Sequence, residues 1–440
     1  MIRGRRVVTP EGVQQACVHV RDGRIERVAA FDDVPAGHEP LEAGDLVVLP
    51  GLVDTHVHVN DPGRTQWEGF SSATRAAAAG GVTTIVDMPL NSIPPTTTPE
   101  ALAVKRRAAE GVCHVDVGFW GGAVPDNLGS LGALNAEGVF GFKSFLCHSG
   151  VDEFPSLSLQ RLREAMAEVA AFDGLLIVHA ELPEALAEAS DGLEDADARV
   201  YATYLASRPD DAEVRAVERV VDAADATGCR VHVLHVSSAE VLAQLPAGGR
   251  VTAETCPHYL TFASEEIEDG RYEFKCAPPI RGDANRERLW DGLRRGALGA
   301  VVSDHSPCTP DLKSGSFFEA WGGIASLQLG LRAVWTQARG RGFGLEDLAR
   351  WMSEGPARIA GLQSKGAIAE GRDADLVLFD ADRSTVCHPD ELHHRHPLTP
   401  YAGRLLDGWV EATYVRGMRV FGDGRFLDAP AGRLLRRGEA

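Results

Sequence analysis

The sequence predicts an α/β protein: a TIM-type (β/α)8 barrel carrying a small β-sandwich domain built from both termini. Three observations predict it. The middle of the chain alternates short apolar runs with helical patterns, eight strand candidates in all. The two ends instead hold apolar runs broken by D-G and R-G pairs, the punctuation of hairpins. Several of the middle runs close on a histidine, lysine or aspartate, and a barrel places its chemistry where strands end.

ACVHVRDGRIERVAAF lies within residues 1–50, and ADLVLFDADRSTV and EATYVRGMRVFGDGRFL lie within 366–440. Together these are expected to form one antiparallel β domain, leaving residues 51–365 for the barrel. Its strands are expected at LVDTHVHV, VTTIVDMP, VDVGFWGG, VFGFKSFL, LLIVHAE, RVHVLHVSS, RVTAETCPHYL and GALGAVVSDHS. Between them GFSSATRAAAAGG, TPEALAVKRRAAEG, SLQRLREAMAEVAAFDG and EVRAVERVVDAADATG have helical spacing. Thr98-Pro99 supplies an N-cap and a first helical residue, and several of these segments stop at Gly. A doubly wound open sheet would carry a Gly-rich phosphate loop after its first strand, and this chain has none. The segment 316–340 and the helix GLEDLARWMSEGPARIAGL lead back to the β domain.

The 440 residues are too many for one small domain, and 44% hydrophobic with 24% charged residues is ordinary for a soluble globular chain. A net charge of -19 argues against nucleic acid or an anionic membrane surface as partner, because both would repel it. The eight cysteines contain no CxxC pair and read as reduced cytosolic thiols. No apolar segment follows the charged start MIRGRRVVTPEGVQ, and no run approaches a membrane span, so a cytoplasmic protein is expected.

Reading the strand ends in order gives His56 and His58, Lys143, His179, His235 and Asp304. His56 and His58 are two residues apart on a strand and therefore share a face, where two imidazoles can grip one metal ion. Singly, each residue has an ordinary explanation. Lys143 could snorkel to solvent, His179 could be a hydrogen-bonded core histidine, and Asp304 could cap a turn. Jointly, four imidazoles, a carboxylate and a lysine at one barrel mouth match the ligand types of a two-metal hydrolytic centre. By strand parity His232 should face away from His235, and His305 away from Asp304. HHRH at 393–396 lies in the terminal region and reads as solvated surface. Asp54 stands between two readings, orienting a ligand histidine or bonding backbone near the turn. His258 likewise is open to a structural, supporting or substrate-contacting role.

The motifs PGLVDTHVH, GGVTTIVDMP, GFKSFL, VHAE, HVSSAE, ETCPHYL, CAPPIR, VVSDHSPC and GRDADLVLFD run across nearly the whole chain. On these the chain resembles the amidohydrolase superfamily, and within it the cyclic amidohydrolases: dihydroorotase, dihydropyrimidinase/hydantoinase and allantoinase. The resemblance implies two divalent metal ions, with His56, His58 and Asp304 on one, His179 and His235 on the other, and a CO2-derived carbamate on Lys143 bridging them. A lysine desolvated among cations is disfavoured as a cation, and a carbamate turns it into an anionic oxygen ligand. Nitrogen and oxygen donors suit zinc; cobalt, manganese and iron fit similar sites. A homotetramer is also implied by the resemblance.

Departures from the related families narrow the substrate. Dihydroorotases carry Arg two residues after His-x-His, to hold a carboxylate bidentately; this chain has Asn60. Dihydropyrimidinases place Tyr five residues after the bridging Lys; this chain has His148. DPGRTQWEGF, DMPLNS and FFEAWGGIASLQ look instead like allantoinase. The implied substrate is a small neutral cyclic amide, allantoin, opened to allantoate, with a broad-specificity hydantoinase or dihydropyrimidinase as the alternative. A non-catalytic scaffold relative is the remote alternative, disfavoured because all six ligand positions hold competent residues. Backbone at Ala277, Gly322 and Gly323 is expected to contact the ring, with Asn91 and Arg64 as further candidates. Asp304 is the expected acid–base, taking the proton of the attacking hydroxide and delivering it to the departing ring nitrogen.

Overall fold

In the computed structural model, residues 1–246, 248–426 and 429–439 are described. The first four strands, β1 (Ile2–Thr9), β2 (Gly12–Arg21), β3 (Arg24–Ala30) and β4 (Leu41–Pro50), belong to the N-terminal segment. The barrel strands follow: β5 (Leu52–Val57), β6 (Val82–Asp87), β7 (Asp116–Phe119), the two-residue β8 (Gly121–Gly122), β9 (Phe142–Phe145), β10 (Leu175–His179), β11 (Arg230–Val233), β12 (Val251–Thr255) and β13 (Ala300–Val301). The C-terminal segment adds β14 (Leu376–Val386), β15 (Leu405–Val415), β16 (Met418–Gly422) and β17 (Arg425–Phe426).

Strands from both ends form one sheet in the order β17-β16-β15-β14-β4-β1-β2-β3. The junction is the antiparallel pair of β14 with β4, where Leu378 faces Val48; β4 also runs parallel to β1. The sheet closes over its own apolar core, which includes Val7, Val18, Val48, Leu376 and Tyr414. Its hairpins turn where Gly is needed: Asp22 and Gly23 both take positive φ between β2 and β3.

All ladders in the barrel are parallel. One arc runs β5-β6-β7 and the other β13-β12-β11-β10-β9-β8. Two short links close the circle. Phe140 N donates to Phe119 O at 3.0 Å on one side, and His58 N donates to His305 O at 2.8 Å on the other. Every residue of β5 is buried, as expected for a parallel strand covered on both faces, so hydrophobicity does not alternate along it. The helices form where the spacing predicts them. Thr98 Oγ1 accepts from Ala101 N with Pro99 at the first helical position of Pro99–Ala109. Gly228 ends Asp210–Thr227 in the left-handed conformation at φ 73. No helix among the described residues is long and apolar enough to cross a membrane.

A buried cluster of charges joins the sheet to the barrel. Lys365 Nζ lies 2.6 Å from Asp116 at the start of β7, 2.9 Å from Asp373 and 2.8 Å from Asp375. Arg416 pairs with Asp116 from the turn after β15, and its N–H donates to Asp375 at 2.8 Å.

Candidate active site

All six expected polar residues reach one cavity of about 440 Å³ at the barrel mouth, five from strand ends or the loops just after them and Lys143 from the second residue of β9. His56 Nε2 and His58 Nε2 lie 3.1 Å and 3.6 Å from the same Asp304 oxygen. His179 Nδ1 and His235 Nε2 face each other at 3.0 Å. Lys143, fully buried, lies 4.5 Å from the Phe145 ring centre. His235 and Asp304 both take positive φ, 38° and 44°, which is uncommon for residues with a side chain and concentrates at functional sites.

Carboxylates beneath this set decide which nitrogens are free. His56 Nδ1 donates to Glu254 at 2.8 Å, so Nε2 is the nitrogen left to face the cavity and Asp304. His179 Nε2 donates to Glu181 at 2.7 Å, leaving Nδ1 toward His235. Arg208 in turn donates to Glu181 from Nε at 3.0 Å. His235 Nδ1 is buried with no partner. Free ring nitrogens pointing at a carboxylate and at each other are what a divalent cation would occupy, so the donor set fits a divalent metal centre. His56, His58 and Asp304 also bring their donor atoms within 4.8 Å of one another.

The electrostatics are those of a dry, mutually charged pocket. Burial pushes the Lys143 ammonium down to about 7, with Asp304 and Glu254 opposing through space. Burial takes His58 down to about 4. For His56 burial works the same way, but Asp304 and Glu254 outweigh it and raise the ring to about 9. Burial disfavours the Asp304 charge too, yet His56, His58 and His235 hold the carboxyl well below its ordinary range. Asp304 is therefore ionised at neutral pH.

Other expectations fare differently. Ala277 and Gly322 line the cavity and a Cβ at Gly322 would meet only the Lys275 side chain, at 4.0 Å. Gly323 lines it as well, but its N–H already donates to Lys275 O at 2.9 Å and its carbonyl accepts from Lys313 at 2.6 Å. The missing side chain there relieves crowding, because a Cβ would stand 2.4 Å from Ser306 O. Asn91 lines the cavity 3.3 Å from His58 Nδ1, while Arg64 bonds Asn91 O at 2.9 Å and pairs with Glu153, bracing the rim. His148 stands at the exposed edge of the cavity beside Asp152. His258 is buried with both ring nitrogens unpartnered, outside the cavity lining. Asp54 bonds backbone, accepting from His56 N at 3.1 Å and Ser303 N at 3.0 Å. His305 points away from Asp304, accepting from Ser326 N at 3.1 Å.

Two expectations are corrected. His232 is outside the cavity lining, yet it does not turn its back on the site: it lies 3.0 Å from Glu254, which holds His56. The parity argument fails because β11 ends at Val233 and the left-handed residue His235 resets the direction of the side chains. HHRH is not solvated surface throughout. His394 is buried against His305, with ring centres 5.6 Å apart, and Arg395 N donates to the buried Glu68 at 3.1 Å. A segment late in the chain thus packs over the loop that follows β5. Glu254, Glu181 and Arg208 were missed by reading only strand ends. The first two sit in ETCPHYL and VHAE, where a buried acid beside histidines is the signal.

The chain matches the Amidohydrolase family over residues 47–420. It belongs to that family. This amidohydrolase is 54% identical over 442 residues to an allantoinase of Streptomyces avermitilis, covering 99% of this chain and 98% of the relative. It is 44% identical over 462 residues to an allantoinase of Arabidopsis thaliana, covering 98% and 90%. Among solved structures it resembles the L-hydantoinase (dihydropyrimidinase) from Arthrobacter aurescens with a TM-score of 0.94, at 31% identity and 99% coverage of both chains.

Proposed function

We propose that this amidohydrolase opens the hydantoin ring of allantoin by hydrolysis, giving allantoate. The observation that carries the reading is the convergence of four imidazoles, one carboxylate and a buried lysine on a single cavity, in a chain with allantoinases as near relatives. His56, His58 and Asp304 would hold one divalent ion and His179 and His235 the other, with zinc the best match to the donors. When bound, the ions supply Lewis acidity, polarising the ring carbonyl and making water acidic enough to attack near neutral pH. The chain's own part is positioning and proton transfer. Ala277 and Gly322 offer backbone to a neutral ring without a bulky side chain in the way. Asp304, ionised and inside the cavity, accepts the proton of the attacking water and passes it to the ring nitrogen as the C–N bond breaks.

Ring-opening rates on allantoin, hydantoin and dihydrouracil under one metal condition test the substrate. Allantoin is expected to be fastest. A faster rate on dihydrouracil would favour the second reading, a hydantoinase or dihydropyrimidinase, which the L-hydantoinase likeness supports.

Lys143 is proposed to add CO2, forming an N–C bond and releasing a proton, so that the resulting carbamate would supply an anionic oxygen ligand to the metal centre. Its depressed pKa of about 7 leaves much of the amine neutral and nucleophilic at physiological pH. Stripped protein reloaded with zinc in CO2-free buffer is expected to recover about tenfold less activity than the same protein reloaded with bicarbonate. Equal recovery in both buffers would remove the carbamate. The same reading includes a cytoplasmic homotetramer, which light scattering and cell fractionation check.

A further inference from the structure

We propose that Glu254, braced by His232, is the positioning residue that sets which ring nitrogen of His56 faces a bound cation and how strongly that cation is held. The inference rests on the two-metal reading above.

The geometry is a chain of hydrogen bonds through the barrel interior. His56 Nδ1 is 2.8 Å from Glu254 Oε1, Glu254 Oε2 is 3.0 Å from His232 Nε2, and His232 Nδ1 is 2.8 Å from Thr252 Oγ1. Proton bookkeeping gives the chain a direction. Each Glu254 oxygen faces one imidazole nitrogen within hydrogen-bond distance. An ionised carboxylate only accepts, so both imidazoles must donate to it. His56 therefore keeps a proton on Nδ1, and Nε2 is the nitrogen that faces the cavity and would meet a cation. His232 carries its proton on Nε2 and accepts on Nδ1, and the Thr252 hydroxyl can supply that donor. Thr252 is exposed, so the chain ends in solvent at the far end of the barrel from the site.

The companion arrangement on His179 differs in one respect. Glu181 is shared with the Arg208 guanidinium, which neutralises it. Among the described residues Glu254 hydrogen-bonds no lysine or arginine, and its oxygens face His56 and His232. A carboxylate behind a ligand imidazole raises the basicity of the ligand nitrogen, so Glu254 should matter most to the ion held by His56, His58 and Asp304.

Glu254→Gln is close in shape and can still accept from His56 on its oxygen, while its amide donates to His232. His232 then moves its proton to Nδ1 and donates to Thr252. The tautomer of His56 survives and the negative charge is lost. Chelator-stripped wild-type and Glu254→Gln protein are titrated with Co2+ against a competing chelator, with bound metal and the visible Co2+ spectrum as readouts. Wild type is expected to take two equivalents. Glu254→Gln is expected to hold one of them about 10–100-fold more weakly, with a shifted spectrum, and the other almost unchanged. Glu254→Asp, which keeps the charge, should recover part of the loss. His232→Leu leaves Glu254 in place with one partner removed and should weaken the same equivalent several-fold. Unchanged affinity and spectrum in both Glu254→Gln and His232→Leu would overturn the proposal while leaving the two-metal reading standing. Wild type taking fewer than two equivalents would overturn both.

Discussion

Asp304→Asn protein is expected to fold normally and to open its substrate about 10²–10⁴-fold more slowly than wild type. Asn suits the test for two reasons. It has nearly the shape of Asp, and it tolerates the left-handed backbone that this position adopts at φ 44, whereas Ala would add strain to the comparison. The carboxylate is the only acid among the three groups within reach of one another at His56 and His58, and those imidazoles keep it ionised despite burial. An amide cannot take up the proton of an attacking water, and it is a poorer donor to a cation. The measurement is kcat on allantoin beside the thermal unfolding curve and the metal content. A folded, metal-loaded Asp304→Asn protein turning over near the wild-type rate would refute the acid–base role.

Lys365→Met carries the largest expected effect on stability, about 3–5 kcal/mol of destabilisation. Lys365 and Arg416 together face Asp116, Asp373 and Asp375, so the wild-type cluster is already short of positive charge. Burial disfavours the lysine's charge, yet the three carboxylates hold its ammonium above the ordinary range, the mark of a cation surrounded by anions. Methionine fills the space but leaves Arg416 alone against three acids, of which Asp116 and Asp375 are buried. Urea unfolding followed by fluorescence checks the figure. A midpoint within experimental scatter of wild type would show that the cluster does not hold the barrel to the terminal sheet. None of these residues lines the cavity, so the residual folded fraction is expected to keep its substrate affinity.

The site was legible at the level of strand ends because β-strands alternate. His56 and His58 share a face, His179 closes an apolar run, Lys143 stands inside one as the second residue of β9, and all of them reach one cavity. The terminal sheet was legible because D-G pairs between alternating runs announce hairpins. What period-two reasoning could not supply was the consequence of a single left-handed residue. His235 at φ 38 lines the cavity while His232, three residues earlier, still reaches Glu254 behind His56. Glu254 and Glu181 escaped attention because their importance lies in what they accept from, and that depends on neighbouring strands being side by side. HHRH misled for a related reason. Polar composition suggests exposure, but the cost of burying His394 is met by a fold that brings residue 394 against residue 305.

The pairing of β4 with β14 sets a timetable for synthesis. Leu378 emerges from the ribosome roughly 330 residues after the Val48 it faces, a wait on the order of half a minute at about 5–20 residues per second. Through that interval β4, with Val47, Val48 and Leu49 destined for the interior, has β1 on one flank and an unclaimed edge on the other. The nascent chain therefore carries a sticky, half-satisfied strand for most of its birth, and chaperone demand during translation should be set by this N-terminal hairpin layer more than by the barrel.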